Sequence, residues 1–379
     1  MTPFRKIECS GSPREMGRQQ GEALKESIRG IVETFIGSDD FQRATVKFLG
    51  PQRIFRILGG LSSAAVRISS RDAVREWEER VEGIAEGAGI DPTFTKGVQA
   101  IETVLAIPIQ MSQCTTIGVA PERSGGEGPL ILKNYDIGEI LRPTTFLRTS
   151  RPAGRLRSFD MFINILAGNH VAMNEAGLCL SYNYGMVRFY PRPGILPTYI
   201  LQYAAENFRT TQQVIDWVSK QRSANPCVIT VTDGAGSLCV IEKAGSRTAV
   251  RHPDRGVTAA TNHFLAAGME GYNYDMSVRF GKRSPASLRG ISVQESNDRR
   301  LRRACALLEK MGKVSIADLE GIARDHDGRE AGDGNTICRH HEAMMTLASI
   351  ILVPKDGKVL VCEGSPCGGS YEEIRPFDP

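Results

Sequence analysis

A chain of 379 residues with 41% apolar and 24% charged residues has the make-up of an ordinary globular protein, not of a disordered or fibrous one. A net charge of +4, from 47 basic and 43 acidic residues, is too small to argue for nucleic acid, and no apolar run approaches the ~18 residues of a membrane span. Nine scattered cysteines and an opening Met1-Thr-Pro-Phe-Arg-Lys without the apolar stretch of a signal peptide lead us to expect a reducing cytoplasm and free thiols.

The first hundred residues or so read as helical. Ser12-Pro13-Arg14-Glu15 is a helix start: a Ser N-cap, Pro at the first helical position and Glu at the third. Met16, Leu24, Ile28, Ile31 and Phe35 follow at helical spacing. Gly17 and Gly21 lie four apart on that helix, which suggests that another backbone packs closely there. A second helix is predicted from Asp72 to Glu86, with Val74, Trp77, Val81 and Ile84 on one stripe.

After about residue 114 the pattern changes to hairpins. Thr115–Ala120 with Leu130–Tyr135, Val171–Met173 with Leu178–Tyr182, Cys227–Thr232 with Leu238–Glu242, and Ala348–Val353 with Lys358–Cys362 are apolar or β-branched runs flanking turn residues. Helices are predicted at Thr198–Phe208, Thr211–Gln221, Asp298–Met311 and Ser315–Asp325. Antiparallel hairpins with helices in separate blocks make the fold class α+β.

Several chemistries have no motif here. There is no Gly-x-Ser-x-Gly elbow, no His-Glu-x-x-His and no phosphate loop. Cys338, His340 and His341, with Cys362 and Cys367, carry ligating atoms but lack the tight paired spacing of structural zinc sites, so no metal is expected.

Cys114 stands at the junction between the helical segment and the first hairpin. An antiparallel return would bring Asp136 beside it, and Asn183 and Asn262 each follow a predicted strand. A thiol, a carboxylate and amide donors are the minimum parts for acyl transfer. Taken alone, Cys114-Thr-Thr reads first as a buried thiol at a strand start, and its context is what favours the chemical reading.

Cys114-Thr-Thr, Asn134-Tyr-Asp136 and Thr261-Asn262-His263-Phe264 resemble the autoproteolytic acyl-coenzyme A:6-aminopenicillanic acid acyltransferase family, which are N-terminal-nucleophile (Ntn) cysteine hydrolases. Gly17-x-x-x-Gly21 and Glu82-Gly-Ile-Ala-Glu-Gly-Ala-Gly89 are similar to that family's propeptide motifs, and Ile337-Cys338-Arg339 with the hairpin after it to its C-terminal part. The patches run from about residue 11 to residue 370.

The resemblance implies a four-layer αββα fold in which two antiparallel sheets lie between helical layers. It implies self-cleavage between Gln113 and Cys114, leaving a helical chain 1–113 packed on a catalytic chain 114–379. Cys114 would be the nucleophile and its freed α-amine, with a pKa near ~8, the general base. Asp136 would hold that amine. Asn262 would donate its side-chain amide to the oxyanion, and Asn183 a second N–H from its backbone. Arg299 and Arg339 are candidates for fixing a substrate carboxylate or a catalytic group.

No cofactor is expected, and acyl-coenzyme A enters only as a substrate admitted by the family. The expected partners are a small-molecule amide or acyl donor and the cleaved N-terminal chain, with neither nucleic acid nor membrane. Two departures from the family stand out. It usually has Gly where this chain has Gln113, and Trp where this chain has Tyr135. Gln113 favours the alternative reading, an uncleaved member that serves as a binding or scaffold protein.

Overall fold

The structure, a computed structural model, describes residues 4–37, 53, 57, 70–99, 112–188, 192–282, 284 and 286–378. Its N-terminal part opens with strand β1 (Lys6–Gly11) and helix α1 (Pro13–Ala23). Ser12 caps α1 as expected, since its hydroxyl accepts from Glu15 N while its own N–H donates to Glu15 Oε2 at 2.7 Å. Helices α2 (Lys25–Gly37), α3 (Arg71–Ala88) and α4 (Pro92–Gln99) follow. The single helix predicted from Met16 to Phe35 is therefore two. Leu24, at φ −114° and ψ 15°, breaks it. The break lets α1 keep its glycines on α3 while α2 turns Ser27 towards Pro143 O and the Asn164 amide. The Phe35 side chain lies outside the described residues.

The glycines explain the tightest contact in this part. A Cβ on Gly17 or Gly21 would come closer than 3.0 Å to the backbone of α3, and one on Gly83 or Gly87 closer than 3.0 Å to the backbone of α1. Two Gly-x-x-x-Gly faces thus interlock, and no side chain fits between them.

The remaining strands form two sheets. One has eight strands, in the order β1, β4 (Thr145–Pro152), β5 (Ser158–Ile163), β6 (Val171–Asn174), β7 (Cys179–Tyr184), β8 (Cys227–Thr232), β9 (Leu238–Ala244) and β10 (Arg247–Arg251). All its pairs are antiparallel except β1 with β4. The other is wholly antiparallel, in the order β11 (Val257–Ala260), β2 (Ser112–Val119), β3 (Leu130–Ile137), β12 (Met345–Val353), β13 (Lys358–Glu363) and β14 (Glu372–Ile374). All four predicted hairpins are present.

The sheets face each other. Thr116 on β2 reaches Ser181 and Asn183 on β7, and a Cβ on Gly118 would strike Leu238 on β9. The other face of β2 and β3, with Ile117, Val119, Leu130 and Leu132, packs on helices α7 (Glu295–Glu309) and α8 (Ile316–Ala323) through Ala304, Leu308, Leu319 and Ile322. Helices α5 (Pro197–Asn207) and α6 (Thr211–Lys220) cover the eight-stranded sheet, so the layering is helix, sheet, sheet, helix, an α+β fold. Among the described residues no helix is long and apolar enough to cross a membrane.

Gly17→Ala is expected to destabilise the protein by about 1–3 kcal/mol, because the methyl group must push two helix backbones apart. Gly30→Ala, in α2 with open space where its Cβ would be, is expected to be neutral or slightly stabilising. Thermal melts of the two variants check the contrast.

Candidate active site at Cys114

Cys114 lies inside β2, opposite Tyr135 on β3, and is 1% exposed. On its other side the ladder runs out, because β11 pairs with β2 only as far as Ala260 opposite Thr116. Side chains complete it. Cys114 N donates to Asn262 Oδ1 at 3.0 Å, and Cys114 O accepts from Arg300 Nη1 at 2.6 Å. Asn183 Nδ2 is 3.5 Å from the same carbonyl and donates to Ala260 O and Thr261 O, each at 3.1 Å. Asn183 Oδ1 accepts from Thr116 Oγ1 at 2.7 Å. Buried backbone groups require partners, so these contacts are a structural necessity as well as a site.

Arg300 is fully buried and is the hub. Its second Nη donates to Asn262 Oδ1 at 3.1 Å, Asn297 Oδ1 at 3.0 Å and Gln113 Oε1 at 3.2 Å, and Nε donates to Ser296 Oγ at 3.1 Å. Arg339 Nη1 also donates to Gln113 Oε1. Two guanidinium groups thus grip the side chain of the residue before Cys114. Lys133, also fully buried, donates to Tyr182 O and lies within reach of the Cys114 thiol.

Asp136 sits where strand alternation sends it. It pairs with Gln113, so its carboxylate is on the face opposite to the Cys114 side chain. A register shift in β12 between Thr346 and Ala348 sets Thr346 against it, and Thr346 Oγ1 donates to Asp136 Oδ1 at 2.7 Å. Asp136 Oδ2 is 3.8 Å from Arg300 Nη1 and has no hydrogen bond among the described residues. In the intact chain it is Asn262, not Asp136, that holds the Cys114 nitrogen. Burial pushes the Asp136 carboxyl above its ordinary range, opposed by Arg300 and Arg339. Burial likewise raises the Cys114 thiol, and the charge of Lys133 pulls against it. Lys133, Arg300 and Arg339 around a single carboxylate leave the region short of negative charge, which a thiolate or an oxyanion would supply.

Cys114, Gln113, Asn183, Asn262 and Arg339 therefore converge. Arg299 does not. Its side chain is 54% exposed and pairs with Glu295 at 3.0 Å. The α7 helix starts at Glu295, and one residue along it turns the side chain by about 100°. Arg300 is the arginine that faces the site, and the only sequence clue to it was the phase of that helix. Lys133 and Thr346 were also missed, because nothing in a strand's sequence marks which of its polar residues points inward.

His263 follows Asn262. Thr261 Oγ1 gives its proton to Asn297 O at 3.1 Å, so it accepts from His263 Nδ1 at 3.0 Å and fixes that tautomer. Burial, and then the charge of Arg300, lower the His263 pKa from 6.5 to about 4.

The model of the acyl-coenzyme A:6-aminopenicillanic acid acyl-transferase family matches residues 123–367, which take in Asp136, Asn183, Asn262, Arg300 and Arg339 and leave out Cys114. No curated protein matches the chain in sequence. Similar solved structures include a variant of the conjugated bile acid hydrolase from Clostridium perfringens (11% identity, TM-score 0.40, 68% of this chain and 96% of that one). They also include the N-acylethanolamine-hydrolyzing acid amidase ortholog of Caenorhabditis elegans (15%, 0.43, 64% and 93%) and the penicillin V acylase of Agrobacterium tumefaciens (13%, 0.37, 67% and 76%). Likenesses this loose say nothing of activity.

Neutral His263 makes stability fall with acid. The contribution is complete above pH 6.5, where neither state is protonated. It declines on acidification because the unfolded chain takes up the proton first, and levels out below the folded value of about 4. The loss is roughly 3 kcal/mol over that interval. Denaturant titrations across it should show His263→Gln with a correspondingly shallower decline than the parent.

Proposed function

The chain belongs to the acyl-coenzyme A:6-aminopenicillanic acid acyl-transferase family, and on that premise we propose that it is a self-processing Ntn cysteine enzyme that cleaves or transfers an acyl group at an amide bond. One observation carries the reading. Polar side chains from beyond β11, from α7 and from β7 all spend hydrogen bonds on the backbone of Cys114.

Self-cleavage starts with the thiol. Cys114 Sγ adds to the carbonyl carbon of Gln113, the C–N bond to Cys114 breaks, and the thiol proton ends on the departing nitrogen. The product is a thioester between the two residues. Water then hydrolyses it, leaving a carboxylate on Gln113 and a free thiol and α-amine on Cys114. Asn262 Oδ1 already lies 3.0 Å from that nitrogen and continues to accept from it after it becomes an amine. The amine is basic near neutral pH, unlike a peptide nitrogen, so it takes the thiol proton in later turnovers.

In turnover the Cys114 thiolate attacks the substrate carbonyl and an acyl-thioester forms as the amine departs. The Asn262 amide carries two hydrogens. Tyr184 O takes one at 2.9 Å, and the second serves the oxyanion. Asn183 supplies the second donor from its backbone N–H, because its side-chain amide hydrogens are taken by Ala260 O and Thr261 O. Asp136 acts as the counter-charge that keeps Arg300 and Arg339 in place. Gln113 Oε1, gripped by both guanidinium groups, stands in for a substrate carbonyl or carboxylate oxygen once residue 113 has left. Water or an amine, including one presented against an acyl-coenzyme A donor, accepts the acyl group. The chain before Cys114 is then a separate subunit, and no cofactor takes part.

Intact mass and N-terminal sequencing of the purified protein should show one fragment ending at Gln113 and one beginning at Cys114. Cys114→Ala should remain a single chain and turn over no N-acyl amide. An uncut chain that hydrolyses such amides overturns self-processing, and an uncut chain without activity supports a binding protein instead. Asn262→Ala should lower kcat by about 10²–10³ with KM little changed. Steady-state kinetics on the processed variant check this.

A further inference from the structure

Four side chains that bind soft metals meet at one point near the C-terminal hairpin. We propose that His326, Cys338, His340 and Cys367 form a closed tetrahedral site for a zinc-class divalent cation, which clamps the loop that carries Arg339. This departs from the sequence-based expectation of no metal. Of the residues weighed there, Cys338, His340 and Cys367 belong to the cluster, His341 and Cys362 do not, and His326 joins it.

The ligand atoms of the four all lie within 4.8 Å of one another. His340 Nε2 is 3.4 Å from Cys338 Sγ and 3.3 Å from Cys367 Sγ. A tetrahedral ion with metal–sulfur bonds of about 2.3 Å and metal–nitrogen bonds of about 2.0–2.1 Å puts sulfur and nitrogen about 3.5 Å apart. Hydrogen bonding alone does not account for the arrangement. One imidazole nitrogen has a single proton or a single lone pair, so it serves one sulfur, yet two sit on it. His326 Nε2 is buried with no hydrogen-bond partner among the described residues, and its ring meets that of His340 edge-on with centroids 5.1 Å apart. Gly332 makes room for this. A Cβ there would come closer than 3.0 Å to both imidazole rings and to Cys338 O.

The backbone builds the site from three separate segments. Cys338 N donates to Asp325 O at 3.0 Å, which sets Cys338 beside His326. Asp325 is fixed in turn by two bonds from Arg303, at 2.9 and 2.7 Å. His340 N donates to Asp333 O at 3.0 Å. Arg324 Nε donates to Pro366 O at 3.0 Å, which holds the turn that carries Cys367.

Two sulfurs and two imidazole nitrogens select zinc over magnesium or calcium. With all four positions filled by protein the ion is structural and has no open place for substrate. On binding, the two thiols release their protons to solvent, and two thiolates neutralise the dication. Cys367 is exposed, so the ion enters from solvent. Arg339 stands between two ligands, with its N–H on Thr346 Oγ1 at 2.8 Å and its guanidinium group on Gln113. An ion bound to Cys338 and His340 would limit the freedom of that arginine.

The test uses the full chain, purified under reducing conditions with zinc supplied and then desalted. Elemental analysis should find close to one zinc per chain. Replacing zinc with Co²⁺ should give the visible bands of a tetrahedral ion and a thiolate charge-transfer band. Even an outer-shell change costs about 10–100-fold in metal affinity, so Cys367→Ser, which removes a ligand at an exposed position, should weaken Co²⁺ binding by more than about tenfold. It should also diminish the charge-transfer band. His326→Ala should do likewise, and Cys305→Ser, another exposed thiol, should bind as the parent does. The proposal is overturned by protein with free thiols and no bound metal, by Cys367→Ser that binds Co²⁺ like the parent, or by a Cys338–Cys367 disulfide in the reduced preparation, seen as a mass lower by two hydrogens.

Discussion

The site depends on one constraint: the backbone of Cys114 is buried beyond the point where its neighbouring strand ends. A buried N–H or C=O without a partner costs about 1–3 kcal/mol. Here Asn262 and Arg300 take the place of the missing strand. Both must be brought to that point by the rest of the fold. Asn262 lies two residues past β11, and Arg300 is presented by α7, which packs on the outer face of the same sheet. What completes a sheet therefore also assembles a site.

The second demand is charge. Lys133, Arg300 and Arg339 are all fully or almost fully buried, and Asp136 is the buried carboxylate among them. Isolated buried charges are costly; Lys133 and Arg300 are instead each placed on several oxygens, Arg339 donates to Gln113 Oε1, and Asp136 accepts from Thr346 Oγ1. The arrangement has less negative than positive charge. Such a field favours an anion at the thiol, and Lys133 pulls the Cys114 pKa in that direction although burial outweighs it. It also explains why Gln113, neutral but rich in acceptor character, is stable at a position where a small residue would leave two guanidinium groups facing each other.

The N-terminal part is bound to the rest by buried polar contacts as well as by apolar ones. β1 adds an edge to the eight-stranded sheet. Gln20 on α1 donates to Asn164 O and Leu166 O, each at 2.9 Å, and accepts from Arg148 at 2.6 Å. Arg80 on α3 pairs with Glu206 on α5 at 2.7 Å, with both side chains buried. Separating the two parts would strand these charges and amides, so a chain cut before Cys114 has good reason to stay assembled.

The sequence by itself determined the local elements and the family to which the chain belongs. The Ser12 capping box, the four hairpins and the close approach at Gly17 and Gly21 are short-range consequences of residue type, and they are present in the structure. The strand–turn–strand pattern around Cys114 also showed that the next strand would return beside it, although Asp136 falls opposite Gln113 and Tyr135 opposite Cys114. Pairing and phase were decided by tertiary structure. β4 and β5 carry buried Arg148 and Asp160, whose burial makes sense only once Gln20 and Gln202 from two helices reach them, so polar residues masked those strands. One step along a strand separates Cys114 from the face of Asp136, and one step along α7 separates Arg300 from Arg299. Likewise, the uneven spacing of His326, Cys338, His340 and Cys367 does not mark them as a set, and only the backbone contacts of the loop and the last turn bring Cys367 to the other three. Side-chain direction follows from which faces are buried, and burial is a property of the whole fold.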